Sequence, residues 1–279
     1  MFPIFESEQI EFMTNTKLDI LVPFDFTEAA EKAITQASLL NKQFPVTINL
    51  LHAVQSNDLM EIELKLKDEV KKFSESGIQF NIIIEKGSVL STINSVCKKI
   101  QSHLMIIGTH GSQGIRQGLL GADILKLLKS NPCPSIVVQK TSEVVKQFNQ
   151  ILLPVGSHEN YSSLIDAVIL IASSAQAEVI IYSIKRPNED SSDNLIQNTQ
   201  LTIAKLKERG ILFKEISEES NMVSFGFAKQ TMRYAEEHNI DLIAIMPNTS
   251  IDYSYFANAD KEQLLTNSHG IAILCSAGV

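Results

Sequence analysis

The chain has 279 residues, 44% hydrophobic and 20% charged, with 32 Asp and Glu against 24 Lys and Arg for a formal net charge of −8. That is ordinary globular composition, unlike a disordered or membrane-embedded chain, and the acidic balance argues against a nucleic-acid partner. The length exceeds the usual single domain and predicts two domains of roughly 140 residues each.

The opening segment, MFPIFESEQIEFM, has neither a basic n-region nor a sustained apolar core, so no secretory signal is expected and residues 1–12 read as an extension outside the fold. No apolar run approaches the roughly 18 residues of a membrane span, so no membrane association is expected. Cys97, Cys133 and Cys275 are widely spaced and form no CxxC pair. They read as reduced, buried thiols of a cytoplasmic protein, not as a disulfide framework or a zinc site.

In chain order, strands are expected near 18–23, 46–54, 79–85, 104–108 and 134–139, with helices between them. The first helix spans about 28–41, with Thr27 as N-cap and Ala29, Ala30, Ala33, Ile34, Ala37 and Leu40 as its inward stripe. A second helix covers about 59–76 and ends at Gly77, a third runs from a Ser88 cap to about Ser102, and a fourth follows Gly121. Strands such as Ile48-Asn-Leu-Leu and Leu104-Met-Ile-Ile are near-continuous apolar runs, the pattern of a parallel sheet buried on both faces.

The second half repeats the first. Leu18-Asp-Ile-Leu-Val-Pro-Phe-Asp25 aligns without a gap on Asn149-Gln-Ile-Leu-Leu-Pro-Val-Gly156, so that Pro23 falls on Pro154. Strands follow near 150–155, 178–184, 211–216, 241–246 and 271–275, residues 141–147 form a short polar linker, and Pro187–Asn194 reads as an exposed loop. Domains of 1–140 and 148–279 result.

From Gly108 to Asp123 the sequence is GTHGSQGIRQGLLGAD, a glycine-rich stretch between an apolar strand and a helix start. Glycine allows close backbone approach, and the amides at a helix N-terminus attract anions, so a phosphate site is the natural reading; a plain turn is the other. Neither a Gly-Lys-Ser/Thr triplet nor a GxGxxG spacing occurs.

The spacing Gly108-x2-Gly111-x9-Gly121 resembles the universal stress protein family, whose nucleotide-binding members carry G-x2-G-x9-G-(S/T) after the fourth strand. Ala122 stands where the family has Ser or Thr. The resemblance implies two tandem doubly wound α/β domains, each with a five-stranded parallel sheet in the order 3-2-1-4-5, packed as a pseudo-dimer through their fifth strands near Ile136-Val-Val and Ile271-Ala-Ile-Leu. A higher homo-oligomer is compatible with it. It also implies an adenine-nucleotide site, ATP foremost, in the first domain.

In that site Pro23 and Asp25 end strand 1 and Ala53 offers backbone to the adenine edge. Gly108, Thr109, His110, Gly111, Ser112 and Gly114 follow the ribose and phosphates, and Gly121, Ala122 and Asp123 lie at the terminal phosphates. Asp25-Phe-Thr27 is equally the sequence of an Asx turn ahead of a helix, and Arg116 fits a phosphate cation as well as a solvated loop charge. His52 and His103 read as packed or hydrogen-bonded imidazoles. Asp123 beside a triphosphate would repel it by a few kcal/mol at an effective ε near 20, so Mg²⁺ or Mn²⁺ is expected with it.

In the second half Met246, Thr249 and Ala259 occupy the glycine positions and Gly156 replaces the strand-end Asp25, which implies a degenerate domain. No nucleophile and base pair is evident, so a binding protein acting in stress response through ligand-coupled stability or an unknown protein partner is expected. A slow ATPase, a nucleotide-dependent transferase and a ligand-free scaffold are the alternatives.

Overall fold

The structure is a computed structural model that describes residues 17–55, 59–73, 77–109, 121–145, 147–185, 192–220, 227–248 and 258–278. The first half runs β1 (Leu18–Pro23), α1 (Glu28–Leu40), β2 (Val46–Val54), α2 (Leu59–Lys71), β3 (Gln79–Lys86), α3 (Val89–Lys99), β4 (Leu104–Thr109), α4 (Gly121–Ser130) and β5 (Ser135–Gln139). The second runs β6 (Gln150–Pro154), α5 (Ser162–Ala175), β7 (Glu178–Lys185), α6 (Asp193–Glu208), β8 (Phe213–Glu219), α7 (Phe227–Glu237), β9 (Leu242–Ile245), α8 (Asn258–Leu265) and β10 (Ala272–Cys275).

All ten strands form one sheet in the order β3-β2-β1-β4-β5-β10-β9-β6-β7-β8. Each half is therefore a 3-2-1-4-5 parallel sheet, and the halves join through their fifth strands. That junction is antiparallel, with Ile136 opposite Leu274 and Val137 opposite Ile273. Successive strand residues point to opposite faces, so Ile20, Val22, Ile48, Leu50 and Ile106 belong to one core layer and Leu21, Leu51, Met105 and Ile107 to the other. Both layers continue across the junction, through Ile151 and Leu274 on one face and Leu152 and Ile273 on the other. Fully burying each such side chain stabilises the fold by about 1.5–3 kcal/mol.

Helix α1 starts where Thr27 caps it, its Oγ1 accepting from the Ala30 amide at 3.3 Å. Its buried stripe contains the expected residues plus Gln36. That side chain both donates to the Val145 carbonyl (3.0 Å) and accepts from the Val145 amide (3.1 Å), tying the linker to α1. Gln139 reaches across the halves in the same way, donating to the Leu265 carbonyl at 3.0 Å. Glu85 pairs with Lys99 and Glu218 with Arg233, each ion pair joining an edge strand to the helix that follows it.

Several expected boundaries shift. Helix α2 stops at Lys71, short of the expected 76, and Gly77 follows with φ of +67°. Ser88 precedes α3 without capping it, since its hydroxyl pairs with Ser91 Oγ at 2.6 Å, and the helix ends at Lys99 instead of Ser102. The expected loop over 187–194 is too long at its far end. Ser192 caps α6 by accepting from the Leu195 amide, so Asp193 and Asn194 are already helical. β8 lies two to three residues later than expected, at Phe213–Glu219. Among the described residues no helix is long and apolar enough to cross a membrane. The expected extension, residues 1–12, lies outside the described residues.

Candidate functional site: a cleft at the ends of strands 1 and 4

β1 lies between β2 and β4, and at this point the connections diverge to opposite faces, which opens a crevice beyond the strand ends. The last β1 pairing is Pro23 with Leu51, after which the Phe24 amide donates once more, to the Leu51 carbonyl at 2.8 Å. β2 goes on to Val54, paired only with β3 from His52 onward, so the β1-facing side of 52–54 has no strand partner. A cleft lies there, enclosing about 590 Å³ of space that opens to solvent. Asp25, His52, Ala53 and Gly108 line it with apolar Leu51, Ile93 and Ile107.

The chain leaves β1 through a tight turn. Asp25 Oδ1 accepts from the Thr27 amide (3.2 Å) and from Thr27 Oγ1 (2.5 Å), and Phe26 between them takes φ of +63°. An Asx turn of this kind offsets part of the cost of a left-handed non-glycine residue. Phe26 then sets its ring edge-on to both Phe24 (5.2 Å) and His52 (5.1 Å). His52 Nδ1 lies 2.6 Å from the Phe24 carbonyl, and because a carbonyl only accepts, Nδ1 carries the proton. Turn and imidazole thus brace each other at the cleft's edge.

Gly108 has two neighbours to satisfy. It lines the cleft, yet a Cβ placed on it would lie 2.1 Å from the Ala29 carbonyl oxygen and 2.7 Å from the Ala30 amide nitrogen. The first glycine of the motif is therefore required by the approach of α1 to β4, whatever occupies the cleft. Thr109 next to it is buried, and its hydroxyl has no hydrogen-bond partner among the described residues.

Of the sequence-derived site residues, Pro23, Asp25, Ala53 and Gly108 converge on this cleft. Gly121 opens α4, with Ala122 exposed and Asp123 half-buried in its first turn, where a carboxylate is stabilised by the helix dipole. These three do not line the cleft formed by the described residues. His110, Gly111, Ser112, Gly114 and Arg116 lie outside the described residues. Sequence reasoning treated His52 as a packed or hydrogen-bonded imidazole and missed that it also faces the cleft; its place next to Ala53, beyond the end of β1, was the available signal.

The same register locates the corresponding positions of the second half. Pro154 pairs with Tyr182 as Pro23 pairs with Leu51, and Ile151 pairs with Leu242 as Ile20 pairs with Leu104. Leu51, Ala53 and Gly108 thus correspond to Tyr182, Ile184 and Met246, and Ala30, seven residues after Pro23, corresponds to Tyr161. All four replacements are larger, and all are at most 2% exposed. Tyr161 also donates to the Pro154 carbonyl at 3.2 Å, and Asn198 donates to the Gly156 and His158 carbonyls. Larger, buried side chains thus stand at all four corresponding positions of the second half.

Helix α8 carries a further difference. Asn258-Ala-Asp-Lys-Glu-Gln-Leu-Leu matches Gly121-Ala-Asp-Ile-Leu-Lys-Leu-Leu, which puts Asn258, and not the expected Ala259, in the place of Gly121 and Lys261 in the place of Ile124. Lys261 is fully buried, and its ammonium donates to the Asn248 carbonyl beyond the end of β9. Burial, assisted by Lys129, pushes its pKa down to about 8.

Residues 18–139 match the family model for the universal stress protein family. A universal stress protein of Methanocaldococcus jannaschii is 24% identical over 138 residues, covering 43% of this chain and 81% of its own length. Another, from Bacillus subtilis, is 22% identical over 144 residues and is covered over 97% of its length. Among solved structures, a universal stress protein from Archaeoglobus fulgidus superposes with a TM-score of 0.70 over 93% of this chain and 96% of its own at 14% identity. One from Pseudomonas aeruginosa gives 0.61 over 92% of each chain at 19% identity. These likenesses establish the two-part fold, and residues 18–139 of the chain are a domain of the universal stress protein family.

Proposed function

We propose that the first half binds one adenine nucleotide, with ATP as the expected form, and that residues 148–279 are a degenerate copy that completes the sheet without a ligand. The observation that carries this reading is the asymmetry of the two halves: one has a cleft of about 590 Å³ edged by Asp25, His52 and Gly108, and the other has larger, buried Tyr161, Tyr182, Ile184 and Met246 at the corresponding positions. The residues present fit the base and ribose end of such a ligand. Leu51, Ile93 and Ile107 offer apolar walls to a purine, Asp25 offers an acceptor to its hydroxyls, and the β1-facing side of 52–54 offers backbone. Backbone amides of the 110–120 segment and of the first turn of α4 would meet the phosphates. Among the described residues no group of three or more His, Cys, Asp and Glu is placed to hold a metal. Mg²⁺ would therefore come with the nucleotide, held mainly by phosphate and water.

A nucleotide that binds only the folded cleft stabilises the first half by mass action, and a protein partner that reads the occupied state would sense it. His52 already donates to Phe24, and no nucleophile with a partnered base faces the cleft among the described residues, which favours binding over turnover. Calorimetric titration of the full chain with ATP, AMP and adenosine, with and without Mg²⁺, tests the proposal. One site per chain is expected; two equal sites, or none at millimolar ligand, would overturn it. A steady release of phosphate at saturating ATP would favour the slow-ATPase alternative.

A further inference from the structure

Two of the three cysteines meet inside the first half. Cys97, on α3, and Cys133, between α4 and β5, hold their Sγ atoms 3.0 Å apart, and both are free thiols. The contact is built by more than chance proximity. Buried Asn131 donates to the Cys133 carbonyl (2.9 Å) and to Ser135 Oγ (2.8 Å), and its amide lies 3.5 Å from Cys133 Sγ. This fixes the turn that delivers Cys133 to α3. The second half has no such pair: the Ala235 carbonyl accepts from the Ile240 amide as the Cys97 carbonyl accepts from the Ser102 amide, which puts Ala235 where the first half has Cys97.

The two sulfurs are also unlike each other. A hydrogen bond from the Cys133 thiol holds Cys97 below the usual thiol range, while that same contact, together with burial, pushes Cys133 up. Cys97 is thus the readier of the two to ionise and Cys133 the readier to keep its proton, the arrangement in which the first reacts with an oxidant and the second resolves the product. Cys133 is 8% exposed and Cys97 1%, so a small oxidant can reach the pair where a bulky disulfide cannot.

We propose that Cys97 and Cys133 form a peroxide-oxidisable dithiol, a modification site at which an intramolecular disulfide closes within the first half. The Cys97 thiolate attacks one oxygen of hydrogen peroxide, breaking the O–O bond and giving a sulfenic acid and hydroxide. The Cys133 sulfur then attacks the Cys97 sulfur, and the hydroxyl leaves as water with the Cys133 proton. Overall two thiols and one peroxide become one disulfide and two waters, each sulfur losing one electron. The sulfurs must close by about 1 Å to reach bonding distance, which side-chain rotation can supply. The bond joins residues 36 apart in sequence, and the segment between them contains β4, the glycine-rich stretch and α4. Oxidation would therefore constrain the segment on which nucleotide binding is proposed to depend, and the oxidised chain would melt at a higher temperature.

The test is to treat the reduced full chain with hydrogen peroxide, alkylate the remaining thiols after denaturation, and map peptides without reduction. The expected result is a monomer that has lost two hydrogens, has one alkylated thiol at Cys275, contains a Cys97–Cys133 linked peptide and is restored by dithiothreitol. Cys275 is as buried as Cys97 and serves as the internal comparison. Cys97→Ser should abolish the linked peptide, while Cys275→Ser should leave it unchanged. Three alkylated thiols after peroxide, consumption of Cys275 at the same rate as the pair, or links only between chains would overturn the proposal. The peptide map of the unaltered chain decides the matter even if a variant fails to fold.

Discussion

Gly108 and Ala29 meet backbone to backbone, so closely that a methyl group on Gly108 would overlap the Ala29 carbonyl, at 2.1 Å from its oxygen. A family glycine that looks like a ligand-approach residue is thereby also the hinge of a helix–strand contact. Gly108→Ala should destabilise the protein by about 1–3 kcal/mol, towards the upper end because backbone must yield instead of a flexible side chain. Urea unfolding of the variant and the parent measures this, and an unchanged midpoint would mean that α1 shifts freely over β4.

Asp25 and Thr27 separate the turn from the ligand. Thr27→Ala removes the α1 cap and should cost about 1 kcal/mol of stability, with nucleotide affinity little changed. Asp25→Ala should cost stability as well, through the lost acceptor for the Thr27 amide and hydroxyl. On the proposed function it should also weaken nucleotide binding by about 1–3 kcal/mol. Paired denaturation and titration experiments distinguish the two effects: if Asp25→Ala lowers stability but leaves affinity unchanged, Asp25 is a turn residue only.

The strands and the repeat were legible because strands buried on both faces must be continuous apolar runs and because Pro23 and Pro154 fix the alignment of the halves, while the strand order and the fifth-strand junction followed from the family resemblance. Convergence of Pro23, Asp25, Ala53 and Gly108 followed from the same topology. The larger residues at the corresponding positions of the second half were harder to see. Missing glycines and a missing aspartate show in the sequence, whereas Tyr161, Tyr182, Ile184 and Met246 each look like ordinary core until the strand register places them opposite Ala30, Leu51, Ala53 and Gly108. The polar run ending at Asn194 read as loop since nothing short of the Ser192 cap geometry reveals that the helix has already begun. Lys261 was unreadable for a related reason: a lysine among Asp260, Glu262 and Gln263 has the sequence of a solvated helix face.

Lys261 gives the second half a distinctive pH response. Its pKa is about 8 in the folded protein, below the ordinary 10.5, so between those values the unfolded chain binds more protons. Its contribution therefore destabilises fully below pH 8 and is relieved as pH rises, by at most about 1.4 kcal/mol per pH unit. Cys275 and Tyr234, both pushed up by burial, act in the opposite sense at high pH. The difference between the parent and Lys261→Met isolates the lysine: the variant should be the more stable at pH 7, with an advantage that shrinks between pH 8 and 10. A constant difference across that range would show that Lys261 titrates normally.

Gln36 supports the linker from a distance of more than a hundred residues. Gln36→Ala leaves the Val145 amide and carbonyl without their side-chain partners. A loss of about 1–3 kcal/mol is expected, together with faster tryptic cleavage after Lys146. Equal cleavage rates in the parent and the variant would mean that the linker is held by other contacts.

The antiparallel meeting of β5 and β10 has a consequence for how such a molecule can diverge. Two separate subunits joined along this edge would be identical, so any change that closed one cleft would close both. Joining them in one chain sets the local concentration of the second half by the linker and not by expression level, and each half can then change independently. The second half is a permanently attached partner, free to vary so long as it continues to present β10 to β5.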